Sequence, residues 1–243
     1  MKTVAVVACR LESTRLYGKP MHLLGDQPII AHLLSALRQP KRIDEIVLAI
    51  SDGPGQGVFV DVAKREGIGY WIGSELDVLY RTVKTAEMAS AETVIRVTPD
   101  CPFAYWENVD EMIETHESQK AHLTVTEHLP HGAAVEVIDW ATLKWICESP
   151  DSEARHHEHS TMYISEHPER YKILRMDAPE DLRRPDIRLT VDLPEDLILV
   201  RRIYDALHSQ GEPIPIRPIV QYLDAHPEVR EINGAIETLH LWK

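Results

Sequence analysis

VAVVACRLESTRLYGKP, Val4 to Pro20, decides how the rest of the chain is read. Val4 to Cys9 is apolar at every position. That is the pattern of a strand buried on both faces of a parallel sheet, not of a strand with one wet face. Arg10, Arg15 and Lys19 follow at once, interleaved with Ser13, Thr14 and Gly18. Ligands of open parallel sheets bind outside the carboxyl ends of the strands. The loop therefore stands where an anion would be met.

Downstream, strands and helices alternate. Pro28 opens PIIAHLLSALRQ, with Ile29, Ile30, Leu33, Leu34 and Leu37 on one helical stripe. Glu45 to Ile50 reads as a second strand, Phe59 to Arg65 as a helix and Tyr70 to Ile72 as a short strand. DVLYRTVKTAEMA is helical, Thr93 to Thr98 is another buried strand, and Trp106 to Glu117 is again helical. Repeated units of this kind predict a three-layer α/β fold around a mostly parallel sheet. The second half is less regular. HLTVTEH, AAVEVID, YKILRMD and IRLTV read as strands, with helices over Trp140–Cys147, roughly Glu153–Ser165, and LPEDLILVRRIYDAL. The expectation is one domain over residues 1–243, with about 122–190 forming a lobe over the active edge of the sheet. The C-terminal stretch reads as helix followed by an irregular tail, whose Leu239, Leu241 and Trp242 are expected to dock on the domain.

Composition narrows the function classes. Acidic residues outnumber basic ones 39 to 26, for a net charge of -13, which disfavours nucleic-acid binding. No apolar run approaches the ~20 residues of a membrane span. Cys9, Cys101 and Cys147 are odd in number and widely spaced, which fits a reducing, cytoplasmic setting and neither a disulfide framework nor a zinc site.

Three polar clusters fall at strand ends: the basic loop, PDCP after TVIRVT, and VDLPED after IRLT. The first offers cations, hydroxyls and backbone amides; the others offer Asp100 and Asp192. Arg grips phosphate oxygens in pairs, and Lys acts as a mobile point charge. Mg²⁺ takes one or two carboxylates and completes its octahedron with phosphate oxygens and water. Taken singly, the loop reads more readily as solvated surface, and each aspartate more readily as a turn or helix cap. The combination, in this order, points to a polyphosphate and a divalent metal.

ACRLESTRLYGKPMHLLGDQPII resembles the opening signature of the CMP-sugar synthetases, the cytidylyltransferases that activate Kdo and sialic acids, and more closely their SpsF-type spore-coat polysaccharide relatives. The resemblance continues through GSELDVLYR, VIRVTPDCPF, GAAVEVI, EHSTMYISEHPERYKI and LTVDLPEDLILVRRIY. It departs at Tyr17, where a Pro often precedes Gly-Lys, at TPDCP, where Gly usually precedes the Asp, and most of all in HLPHGAAVEVI. The resemblance implies a GT-A-like nucleotidyltransferase fold and transfer of CMP from CTP to an acidic sugar or related acceptor, with pyrophosphate released. It implies that Arg10, Ser13, Arg15 and Lys19 hold the triphosphate, the three cations being the catalytic set, while the backbone around Ala8 and Arg10 reads the pyrimidine. Ser51 and Asp77 fall where the family contacts base or ribose, Asp100 and Asp192 match its metal-binding aspartates, and Glu136 lies in the acceptor-facing segment. The resemblance also suggests a homodimer.

Other readings stay beside this one. A GT-A glycosyltransferase would use the same sheet and carboxylates but would not need the Arg/Ser/Arg/Lys loop. A phosphate or phosphonate acceptor would need no general base. A catalytically silent nucleotide-binding protein would be expected to lack Lys19 or one aspartate, and all three are present. His156, His157 and His159 cluster without a third ligand at zinc spacing, and the resemblance makes His159 a packing or acceptor-side residue. Cys101, lacking a neighbouring base, reads as a small buried thiol.

Overall fold

The computed structural model describes residues 1–209 and 212–236. Nine strands are named among them: β1 (Thr3–Cys9), β2 (Leu23–Leu24), β3 (Gln27–Pro28), β4 (Glu45–Ser51), β5 (Gly69–Gly73), β6 (Thr93–Val97), β7 (Leu123–Glu127), β8 (Glu136–Asp139) and β9 (Ile173–Asp177). The helices interleaved with them are α1 (Ile29–Leu37), α2 (Gly57–Glu66), α3 (Val78–Met88), α4 (Val109–Gln119), α5 (Trp140–Glu148), α6 (Ala154–Glu158) and α7 (Met162–Glu166). Three more close the described chain: α8 (Pro194–Leu207), α9 (Ile216–Ala225) and α10 (Pro227–Arg230). The tail residues Leu239, Leu241 and Trp242 lie outside the described residues.

The main sheet runs β5-β4-β1-β6-β8-β7-β9, while β2 and β3 form a separate two-stranded hairpin. Neighbours pair in parallel except where β8 meets β6 and β7, so the sheet is mostly parallel. Strand side chains alternate between faces, and the core divides accordingly. Ala5, Val7 and Cys9 pack with Leu33 and Leu37 of α1, Val62 of α2 and Met112 of α4 on one face. Val4 and Val6 pack with Leu79 and Val83 of α3, Leu143 of α5 and Ile164 of α7 on the other. This double burial explains the unbroken apolar run of β1. A third cluster unites α8 and α9 with Leu24, Phe103, Ile187, Leu189 and Val191.

The order reverses at β1: β4 lies on one side of it and β6 on the other. A crevice opens at such a switch point. Segment 122–190 contributes β7, β8 and β9 to the same sheet.

Three expectations need correction. IRLTV is extended but is not a ladder strand; only Arg188 bridges, in parallel, to His131. Its alternation is genuine, since Ile187, Leu189 and Val191 are buried in the third cluster. Its partner, however, contains Pro130 and Gly132 and cannot extend the pairing. Gly132 has φ +90, and a Cβ there would lie 2.5 Å from the Thr190 amide nitrogen. The stretch AAVEVID pairs only from Glu136 onward. The helix expected over Glu153–Ser165 is broken into α6 and α7, with fully buried Ser160 between them and Thr161 donating to Glu136 Oε1 at 3.1 Å.

Candidate active site

The basic loop leaves β1 at Cys9 and closes on itself where the Gly18 amide donates to the Leu11 carbonyl, 2.9 Å. Gly18 has φ 66 and ψ 28, a left-handed conformation that costs glycine little, and directly precedes a single 3₁₀ turn, Lys19–Met21. This turn directs Lys19 back toward the sheet. Its ammonium donates to Asp100 Oδ2 at 3.1 Å and to Asp192 Oδ1 at 2.5 Å. Arg15 Nη2 donates to the same Asp192 oxygen at 2.9 Å. The two aspartates come together although IRLTV is not a ladder strand, because the Val191 amide donates to the Asp100 carbonyl at 2.9 Å.

The charges are partly shielded: Lys19, Asp100 and Asp192 are 15%, 16% and 14% exposed, whereas Arg15 is 54% exposed. Burial alone would lower the Lys19 pKa, but Asp100 and Asp192 outweigh it and hold it above the ordinary lysine value. Burial alone would raise Asp192, but Lys19, Arg15 and Arg188 hold it below the usual carboxylate range. Lys19 and Asp192 therefore face each other as a full ion pair at neutral pH.

Two residues not singled out in the sequence support Asp192 from behind. Arg188 Nη2 donates to Asp192 Oδ2 at 2.7 Å, and Arg188 Nε to Asp196 Oδ1 at 3.0 Å. Asp196 is fully buried, and its Oδ2 accepts from the backbone amides of Asp192 (2.9 Å) and Leu193 (3.0 Å) at the start of α8. The available signal was period two: Arg188, Thr190 and Asp192 share the face opposite Ile187, Leu189 and Val191.

A cavity of about 600 Å³ opens at the switch point, bordered by Ala8, Arg10, Ser13, Arg15, Lys19 and Asp100. Asp192 reaches it through Lys19 and Arg15. Thr98 and Pro99 from the end of β6, Val78 and Arg81 from α3, and Glu158 and His159 at the end of α6 complete the wall. Arg81 is almost wholly buried and donates from Nη1 to the Ser74 carbonyl at 2.5 Å. Arg10 faces Glu158 at 3.8 Å.

Ser51 and Asp77 are not on this wall. Ser51 is fully buried at the end of β4. The Asp77 carboxylate is committed to the Tyr80 amide as the cap of α3 and to His157 Nδ1, both at 2.8 Å. Glu136 lines a second cavity of about 450 Å³, which shares Arg96, Val97 and Thr98 with the first. There it pairs with Arg96 at 2.7 Å. Two adjoining cavities on one strand end suit two substrates.

No group of three or more His, Cys, Asp or Glu side chains among the described residues is arranged to hold a metal. His156 is engaged by Glu166 at 2.9 Å. Cys101 is buried, its thiol pushed up to about 12 by burial and then by Asp100, which suits packing and not nucleophilic attack. Asp100 and Asp192 nonetheless fit a divalent cation held jointly with a substrate. They already converge on one cation, the Lys19 ammonium, and Mg²⁺ needs only one or two carboxylates when phosphates supply the remainder. No helix among the described residues is long and apolar enough to cross a membrane.

Comparison with known proteins follows the same lines. A family model described as cytidylyltransferase matches residues 4–214. The spore coat polysaccharide biosynthesis protein SpsF of Bacillus subtilis is 31% identical, over 92% of this chain and 94% of its own. A cytidylyltransferase structure from Leptospira borgpetersenii superposes with a TM-score of 0.86 at 21% identity, covering 99% of this chain and 100% of its own. A CMP:2-keto-3-deoxy-manno-octonic acid synthetase complexed with CTP superposes with a TM-score of 0.65 at 15% identity, covering 85% of this chain and 99% of its own.

Proposed function

We propose, because the chain belongs to the cytidylyltransferase family, that it transfers CMP from CTP to an acidic sugar or related acceptor and releases pyrophosphate. The observation that carries this reading is the Lys19 ammonium between Asp100 and Asp192, at the rim of a cavity bordered by Arg10, Ser13 and Arg15.

In this reading the triphosphate lies along the Arg10–Lys19 loop, and the base reaches toward Ala8. The acceptor enters the second cavity, beside Glu136 and Arg96. An acceptor oxygen attacks the α-phosphorus in line with departing pyrophosphate, whose growing charge Lys19, Arg15 and Arg10 neutralise. Such transfer depends on positioning and electrostatics. Asp100 and Asp192 would hold a Mg²⁺ ion, which when bound supplies charge stabilisation at the phosphates. The Arg96–Glu136 pair fixes the wall between the cavities, so that the two substrates meet in one orientation. A sugar-type acceptor is supported by the SpsF relative, a spore coat polysaccharide biosynthesis protein, and an acidic one by the match to a CMP-N,N'-diacetyllegionaminic acid synthase, 30% identical over 48% of this chain.

A thermal-shift panel of CTP, UTP, ATP and GTP tests the assignment. At ~100 times its dissociation constant the preferred nucleotide adds about 2.7 kcal/mol of stability. CTP is expected to give the largest shift; a larger one with ATP or GTP overturns the reading.

A further inference from the structure

Asn233 follows α10 and lies beyond residues 4–214, the part matched by the cytidylyltransferase family. Val229 and Ile232 pack against the cluster under α8 and α9, which brings Asn233 inward until it is 4% exposed. Its Nδ2 donates to two acceptors, Asp196 Oδ1 at 2.8 Å and the Arg188 carbonyl at 3.1 Å. Both belong to the assembly that holds Asp192.

The chain of contacts is short. Asp196 accepts from Arg188 Nε and from the Asp192 and Leu193 amides, which fixes the backbone on which Asp192 stands. Arg188 Nη2 fixes Asp192 Oδ2 at 2.7 Å. Asp192 Oδ1 is thereby turned toward Lys19 and Arg15. An Asp196 carboxylate with no exposure keeps its place only while its donors do, because water cannot replace a lost one.

We infer that Asn233 is a positioning residue for the transfer: it locks Asp196 and Arg188, and through them aims Asp192 Oδ1 at the triphosphate and its metal. This rests on the cytidylyltransferase reading. The C-terminal segment is then a structural part of the active site.

The test uses the full chain and three variants: Asn233→Ala, Asn233→Asp and the exchange Asp196→Asn/Asn233→Asp. Pyrophosphate release gives kcat and KM for CTP, Mn²⁺ titration with and without CTP gives metal affinity, and melting curves report folding. Removing a group that supports a metal ligand typically costs about 10- to 100-fold in affinity or activity. Asn233→Ala is expected to lower kcat and CTP-dependent Mn²⁺ affinity about tenfold or more, at a temperature well below its melting point, with KM for CTP within about twofold. Asn233→Asp sets a second carboxylate against Asp196 and is expected to be worse. The exchange, which restores one amide and one carboxylate, is expected to recover part of both quantities. Should Asn233→Ala not fold, Asn233→Ser, which keeps a short donor, carries the same comparison. If these variants melt earlier but keep wild-type kcat and Mn²⁺ affinity, Asn233 is merely structural and the inference fails alone. If the wild-type protein releases no pyrophosphate from CTP and CTP does not tighten Mn²⁺ binding, the underlying reading fails and takes the inference with it.

Discussion

Lys19 holds together two carboxylates that would otherwise repel each other, at 3.1 and 2.5 Å. Asp192 divides its oxygens between roles: Oδ2 belongs to Arg188 and Oδ1 to the cations of the cavity. An arriving triphosphate therefore competes for Lys19 and Arg15 while Asp192 stays anchored from behind. Asn at either aspartate keeps a side-chain oxygen but loses the charge. Asp100→Asn and Asp192→Asn are each expected to slow pyrophosphate release by at least ~10²-fold, the usual scale for losing a charge-stabilising group. Both sites are partly exposed, so both variants should keep the wild-type circular dichroism spectrum. Near-wild-type rates would reduce the pair to a structural ion-pair network around Lys19 and Arg188.

At the scale of elements, Asp77 caps α3 and also ties α6 to it through His157, so one carboxylate orders two helices beside the cavity. Losing an N-cap oxygen costs about 1 kcal/mol. Asp77→Ala should lower stability by about that amount in urea melts, with an unchanged m-value, and Asp77→Asn, which keeps the cap oxygen, by much less. Equal losses in the two variants would locate the effect in the His157 contact instead. Elements of the first half were legible because β1, β4 and β6 are buried on both faces and the helices packed on them show one apolar stripe. The Val4–Cys9 run and the Ile30, Leu33, Leu37 stripe carry this directly. Arg10, Ser13, Arg15, Lys19 and Asp100 were legible for a related reason, since they follow strands whose ends must face ligand. Ser51 and Asp77 come from the family resemblance alone, and a strand-end position does not distinguish a buried hydroxyl or a helix cap from a ligand contact. The role of Asp196 was hidden likewise: in VDLPED it reads as a first-turn acid of α8, and only the long-range approach of Arg188 and Asn233 shows what it holds.

At the scale of the whole molecule, the antiparallel strand β8 joins the parallel half of the sheet to β7 and β9, and α4 packs beside this junction. His116 of α4 is 3% exposed, and its Nδ1 lies 2.9 Å from Thr124 Oγ1 of β7. Burial, partly opposed by Asp139 and reinforced by His122, lowers its pKa from 6.5 to about 4. His32, held down mainly by burial, shifts in the same direction. A histidine that resists protonation when folded binds fewer protons than the unfolded chain between those two values. The stability it contributes is therefore complete above about pH 6.5 and lost as pH falls toward about 4. The loss amounts to a few kcal/mol at most, since each tenfold weakening of proton binding corresponds to about 1.4 kcal/mol. Asp192, Asp181 and Asp186 are all held below the ordinary carboxylate value, so their contributions persist until the pH falls lower still. Urea melts at half-unit steps from about pH 7.5 to about pH 4 should show stability declining through the histidine window. His116→Asn keeps a side chain able to bond to Thr124 but carries no titrating ring. Its stability is expected to be lower near neutrality and to vary less with pH, with the residual slope shared by His32 and the shifted glutamates. A variant slope equal to that of the wild type would remove His116 as the source of acid sensitivity and shift it to the carboxylates.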